Sequence, residues 1–126
     1  MRKAVSTTEA PAAIGPYSQG IAANGFVFTS GQLPIDPKTG AMPEDIAAQT
    51  EISLKNVAAV LEAAGTSLEN AVKMTVFVRD MNDFDKINAV YKGFFEGEAP
   101  ARSLIQAARL PRDVGVEIEC IAVLEQ

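Results

Sequence analysis

In the C-terminal quarter of this chain, charged residues stand inside segments that otherwise read as apolar strands. The stretch is APARSLIQAARLPRDVGVEIECIAV, residues 99–123. Arg102 follows Ala-Pro-Ala at the mouth of one apolar run, and Glu117 and Glu119 interrupt a second run of valines and isoleucines. A charge taken out of water is costly unless it is paired or hydrogen-bonded. The stretch is therefore either a sheet edge facing water or a binding site. A guanidinium offers a planar two-donor fork for a carboxylate, which an ammonium does not reproduce. A partly desolvated carboxylate titrates above its ordinary range and can carry a proton. The plain alternatives are an edge arginine paired with a nearby acid and two glutamates facing solvent. Glu117 and Glu119 share one face by the two-residue period of a strand, so the pattern does not choose between them.

Other polar groups could join this chemistry. Tyr17 lies in the turn GPYSQG, where its hydroxyl either reaches a ligand or simply packs the turn. Ser30 and Gly31 end an apolar run, offering a hydroxyl and a backbone amide or serving only as turn residues. Asn88 falls on a helical segment one step past Ile87 and outside the stripe of Phe84, Tyr91 and Phe95, which makes it helix surface or a polar contact. The chain has no histidine and one cysteine, Cys120. That removes a histidine-based triad, a general base tuned near neutrality and a zinc site. Cys120 sits in a strand-like run and reads as a small buried hydrophobe.

Composition narrows the class further. With 11 Lys and Arg against 16 Asp and Glu, the net charge is −5, and no basic cluster interleaves with aromatics. Nucleic-acid binding leans on basic surface, so no such partner is expected. No apolar run approaches the ~18–20 residues of a membrane span. The opening MRKAVSTTEAPAA lacks the apolar core of a signal peptide, and a cytoplasmic protein is expected. At 126 residues, 48% hydrophobic and 21% charged, one domain over 1–126 can bury a core of its own.

The elements that must position these residues follow from periodicity. A short strand covers about 2–6, and IAANGFVFTSG reads as a hairpin turning on Asn24-Gly25. QLPIDPKTGAMP is a loop. Apolar residues at helical steps predict a helix from Glu44 to Ala64, capped by Gly65. In NAVKMTVFVRD, Val72, Met74, Val76 and Val78 alternate with polar neighbours and predict a strand. A second helix runs from Asn82 to about Phe95, with Asn82 and Asp85 as its cap. Strands over 102–109 and 114–124 close the chain. The fold class is α+β, in the order βββαβαββ. Two helices cover one face of a six-stranded sheet, yet the last strand is apolar on both faces, so the open face needs an oligomer to cover it. Phe77, among polar neighbours, fits that contact.

GPYSQG at 15–20, TSGQLPIDPKTG at 29–40, NAVYKGFF at 88–95 and PARSLIQAARLPRD…VEIECIAV at 100–123 resemble, end to end and in register, the signature segments of the Rid (YjgF) family of reactive-intermediate deaminases. The resemblance implies a chorismate-mutase-like fold with a six-stranded mixed sheet, a homotrimer, and ligand clefts between subunits. It implies hydrolysis of 2-imino acids, in equilibrium with 2-enamino acids, to 2-keto acids and ammonia, on imines released by pyridoxal-phosphate-dependent dehydratases and without metal or organic cofactor. By resemblance Arg102 binds the substrate carboxylate and Glu117 positions or activates water. Tyr17 walls the cleft, and Ser30, Gly31, Asn88 and the Leu104 amide contact the ligand. Leu104 departs from a cysteine common at that position, and Gln106 from a common acid. The rival readings are a non-catalytic trimer binding small keto or imino acids, a ribonuclease, disfavoured by charge and the missing histidine, and a sister Rid-subfamily deaminase.

Overall fold

Asn24 and Gly25 both take left-handed backbone, at φ 52° and 83°, and so close the two-residue hairpin that their sequence predicts. The computed structural model describes residues 1–124, so the last two residues of the expected 1–126 domain lie outside the described part. The strands are β1 (Arg2–Val5), β2 (Gly20–Ala23), β3 (Phe26–Thr29), β4 (Ala71–Val78), β5 (Ala101–Gln106) and β6 (Val116–Val123), with helices α1 (Ile46–Ala63) and α2 (Phe84–Lys92). They form one mixed sheet in the order β1-β2-β3-β6-β4-β5. Only β4 and β5 run parallel, joined by the α2 crossover. The last strand therefore lies in the middle of the sheet, between β3 and β4, and both β1 and β5 are edges.

One face of the sheet carries the core. Met74, Val76 and Val78 of β4, Val116, Ile118, Cys120 and Ala122 of β6, and Val27 of β3 pack against Leu54, Val57 and Leu61 of α1 and Ile87 and Tyr91 of α2. Removing each large apolar side chain from water contributes about 1.5–3 kcal/mol. The other face has no helix. Phe26, Phe28 and Ile105 are exposed there, beside half-buried Phe77, Ile121 and Val123. The expected α+β architecture, with both helices on one face, is the one observed.

Local details differ from the sequence reading. Val72 is exposed because the β4–β6 register shifts between Ala71 and Lys73, so a bulge takes it out of the alternation. Helix α2 begins at Phe84 without a side-chain cap. The Asn82 amide is instead taken by Asp80 Oδ1 at 2.9 Å, in a short 3₁₀ turn ahead of the helix. It ends at Lys92, before Phe94 and Phe95. Strand β5 ends at Gln106, paired with Val78, where its partner β4 also ends; beyond it Arg109 joins Asp113 through two bonds of 2.8 and 3.2 Å.

The buried polar face of α1 fixes loops near the candidate site. Asp45 caps the helix through Ala48 N at 3.0 Å. Asn56 Nδ2 donates to the carbonyls of Leu33 and Ile35, each at 3.0 Å. Gln49 Oε1 accepts from Gly115 N at 2.9 Å, two residues before Glu117.

Candidate active site

Arg102 pairs in register with Met74 of β4, so its side chain rises on the helix side of the sheet, toward α2. Its Nη1 donates to Asn88 Oδ1 at 2.7 Å. Its guanidinium carbon lies 4.8 Å from the Tyr91 ring centroid and 5.9 Å from that of Phe84. Asn88 therefore belongs to the same face of α2 as Phe84 and Tyr91. The sequence reading set it apart by counting from Ile87, but residues 84, 88 and 91 lie one and two turns apart. Among the described residues the ion pairs are Lys55–Glu51 and Arg109–Asp113, and Arg102 has no acid partner. Its Nε–Nη2 edge, the fork that takes two carboxylate oxygens, is not used by the described residues. Leu104, two residues along β5, packs beside the core. Ala107 N donates to Val78 O at 2.9 Å. By alternation the amides of residues 103 and 105 also face β4, and that of Leu104 faces the free edge.

Glu117 points the other way. It pairs with Phe77 of β4 and lies on the face without helices, half-buried at one wall of a cleft of about 590 Å³. Tyr17, Ser30, Gly31 and Gln32 line this cleft with it, and Ile14, Leu33 and Ile35 give it an apolar side. Gln32 and Ile118 exchange backbone bonds of 2.7 and 3.2 Å, which sets Gly31 against the Glu117 carboxylate. Any β-carbon at position 31 would lie 2.7 Å from the Glu117 carboxyl carbon. Burial, and next the charge of Glu119, push the Glu117 carboxyl above the ordinary glutamate range. Glu119 does not line the cleft, which separates two residues that the strand pattern left equivalent.

The remaining cleft groups are held by backbone bonds. Ser30 Oγ donates to Ser18 O at 2.5 Å, so its oxygen is left as an acceptor. Tyr17, 52% exposed, accepts at its hydroxyl from Ile14 N at 3.3 Å. Two residues were missed in the sequence. Buried Gln19 accepts from Thr7 N at 2.7 Å and donates to Thr7 O at 3.0 Å and Pro11 O at 2.7 Å, fixing the segment that walls the cleft. The signal for it was its place in GPYSQG. Arg112, at φ 57°, also lines the cleft, and nothing in its sequence context announced this. A larger hollow on the other side of Tyr17, about 880 Å³, is lined by small residues and carries no acid or cation.

The structure thus groups Arg102, Asn88 and Leu104 on one face of the sheet, and Tyr17, Ser30, Gly31 and Glu117 on the other. Each group holds half of what a small carboxylate ligand would need. Among the described residues no three His, Cys, Asp or Glu cluster to hold a metal, and no helix is long and apolar enough to cross a membrane.

A six-stranded sheet with two helices on one face is a fold that known small proteins share. The model of the family described as Endoribonuclease L-PSP matches residues 7–124, and the chain belongs to that family, the one its motifs resemble under the name Rid or YjgF. The chain is 55% identical over 126 residues to the 2-iminobutanoate/2-iminopropanoate deaminase of Salmonella typhimurium, covering 98% of each. The crystal structure of E. coli TdcF with bound serine superposes with a TM-score of 0.94 at 52% identity, covering 98% of this chain and 99% of that one. The E. coli YjgF gene product superposes at 0.95, also at 52% identity and with the same coverage.

Proposed function

We propose that this chain is an enzyme that hydrolyses 2-imino acids and their 2-enamino tautomers to 2-keto acids and ammonia, the activity for which the Salmonella relative is named. One observation carries the reading. Arg102 is a half-buried cation braced by Asn88 and Tyr91, with no acid partner among the described residues. A cation braced in this way suits a small carboxylate, the permanent charge on such a substrate.

In this reading three copies cover one another's open sheet face, so that Arg102 of one chain meets the Glu117 cleft of the next. The exposed Phe26, Phe28 and Ile105 support that assembly, since an apolar patch of this kind marks an interface. The Nε–Nη2 edge of Arg102 grips the carboxylate, and the Leu104 amide, facing the free edge, donates to it as well. Tyr17, Ser30 and the Gly31 backbone wall the cleft and orient the imine. Glu117 takes a proton from water as the oxygen attacks C2. It passes that proton to the imine nitrogen to give a carbinolamine, then takes the hydroxyl proton and delivers it to the same nitrogen as the carbon–nitrogen bond breaks, leaving a keto acid and ammonia. A carboxylate with a raised pKa suits both steps. The substrate is already reactive, so no metal or organic cofactor is needed. The same reading puts the protein in the cytoplasm, beside the dehydratases that release such imines.

The test is to add the protein to a threonine dehydratase reaction and follow 2-ketobutyrate and ammonia. Catalytic amounts should speed their appearance, and Glu117→Gln should bind 2-ketobutyrate while losing turnover by roughly 10²–10⁴-fold. Wild-type protein that binds the keto acid without accelerating its release would instead make it a binding protein.

A further inference from the structure

Arg102 projects from the last strand of the sheet, with no further strand beside it, and an arginine there has four side-chain torsions to fix. One hydrogen bond to Asn88 ties down a single nitrogen and leaves the guanidinium plane free to swing. Tyr91 supplies a second restraint. Its ring lies 4.8 Å from the guanidinium carbon and is itself buttressed by Phe95, centroid to centroid 4.7 Å at a 40° tilt. Tyr91 is only 7% exposed, and its hydroxyl has no hydrogen-bond partner among the described residues. A buried phenol hydroxyl normally finds one, so the position keeps an aromatic face at the expense of an unpaired polar atom.

We infer that Tyr91 is a positioning residue for Arg102, acting through its ring face and not through its hydroxyl. The ring fixes the guanidinium plane, Asn88 fixes its rotation within that plane, and together they aim the Nε–Nη2 edge outward before any ligand arrives. A guanidinium held in advance loses less freedom on binding a carboxylate. The ring face is negative, which favours the cation over it. Burial pushes the phenol up to about 12, so the ring stays uncharged through neutral pH. Phe84, at 5.9 Å, is at the limit of such an interaction and adds little.

The inference rests on Arg102 binding the substrate carboxylate, and its test separates the two. Tyr91→Phe keeps the face and removes the unpaired hydroxyl, so the Kd for 2-ketobutyrate and the KM for imine should match wild type. Tyr91→Leu removes the face. Its KM and Kd should rise about three- to thirtyfold, the range of a cation–π contact, with kcat within about twofold. Val60→Ala, a cavity beside Val5 of β1 at the edge of the sheet opposite β5, controls for lost stability: its Tm should fall while its Kd holds. Equal loss of affinity in Tyr91→Phe and Tyr91→Leu, or normal binding by Tyr91→Leu, overturns the inference. If wild type neither binds keto acid nor turns over imine, the functional reading fails. The Arg102 Nε–H resonance of the free proteins then decides the ring's role. It should be ring-shifted in wild type and Tyr91→Phe and lose that shift in Tyr91→Leu, and an unchanged shift in Tyr91→Leu sinks the inference.

Discussion

Arg102 and Glu117 stand on opposite faces of one sheet: Arg102 pairs with Met74 on the helix side, and Glu117 with Phe77 on the side without helices. Side chains on opposite faces of a strand pair cannot meet the same small ligand. Any site that uses both must take them from two copies of the chain.

That geometry predicts complementation. Arg102→Ala and Glu117→Gln should each be nearly inactive alone. Refolded together in equal amounts, they should recover about a quarter of wild-type activity, because random mixing joins an intact arginine to an intact glutamate at one site in four. Mixtures that stay as inactive as the separate variants would show that each chain builds its site alone.

The assembly itself is measurable. Three copies of the 13.3 kDa chain should give a particle of about 40 kDa by light scattering. Phe28 is 43% exposed on the open face, opposite Ile121. Phe28→Asp should therefore release monomers and abolish activity while leaving the helix-side core intact by circular dichroism. A wild-type monomer at micromolar concentration would end the shared-cleft account.

Much of this fold was legible in the sequence because its signals are local. Asn24-Gly25 fixed a hairpin, helical spacing gave α1, and alternation gave β4. What escaped depends on neighbours far along the chain. The bulge at Val72 arises from pairing with β6, some fifty residues later. The early end of β5 follows from the end of its partner β4 at Val78. Among site residues, Arg102 and Glu117 were visible as charges in apolar runs. Their placement on opposite faces was not, because it depends on the registers that pair Arg102 with Met74 and Glu117 with Phe77. Glu117 and Glu119 were equivalent by period, and only the crossing of residues 30–32 beside Ile118 separates them. Gln19 organises backbone that it does not adjoin in sequence, and its place in GPYSQG was the signal that marked it.

Position 31 has room for a side chain only if Glu117 moves. A methyl group there would run into the Glu117 carboxylate, and the neighbouring Gln32–Ile118 bonds leave the strand little freedom to withdraw. Gly31→Ala should displace Glu117 and lower kcat by at least about tenfold, a factor that corresponds to about 1.4 kcal/mol in the barrier. Far-ultraviolet dichroism should stay unchanged, since the site borders solvent. A Gly31→Ala enzyme with normal kcat would mean that the carboxylate position does not matter.

Thiol chemistry should be silent. Cys120 is buried among core residues, and burial pushes its thiol up to about 12, so almost no reactive thiolate exists at neutral pH. Leu104 occupies the other position where a thiol would matter. Iodoacetamide or a maleimide should leave activity essentially intact over hours. Rapid inactivation that Cys120→Ala escapes would place a thiol in the reaction.

The raised pKa of Glu117 has consequences for rate and for stability. In the proposed role of proton acceptor it must be ionised, so kcat/KM should fall on acidification through a value above the ordinary glutamate range. Glu119 contributes by like-charge repulsion, second to burial. Glu119→Gln should move that acid limb to lower pH while keeping most of kcat at neutrality. Stability follows the opposite course. Between the unfolded and folded pKa values the native state holds more protons than the unfolded one, so the group's contribution is full at pH below the unfolded value. It is lost as pH rises through the folded one. Glu117→Gln, which cannot ionise, should therefore have a Tm above wild type at pH 7, with the gap closing as pH drops toward 4. A Glu117→Gln protein less stable than wild type at pH 7, with a gap independent of pH, would show that the ionised carboxylate is stabilised in the fold and is not strained by its burial.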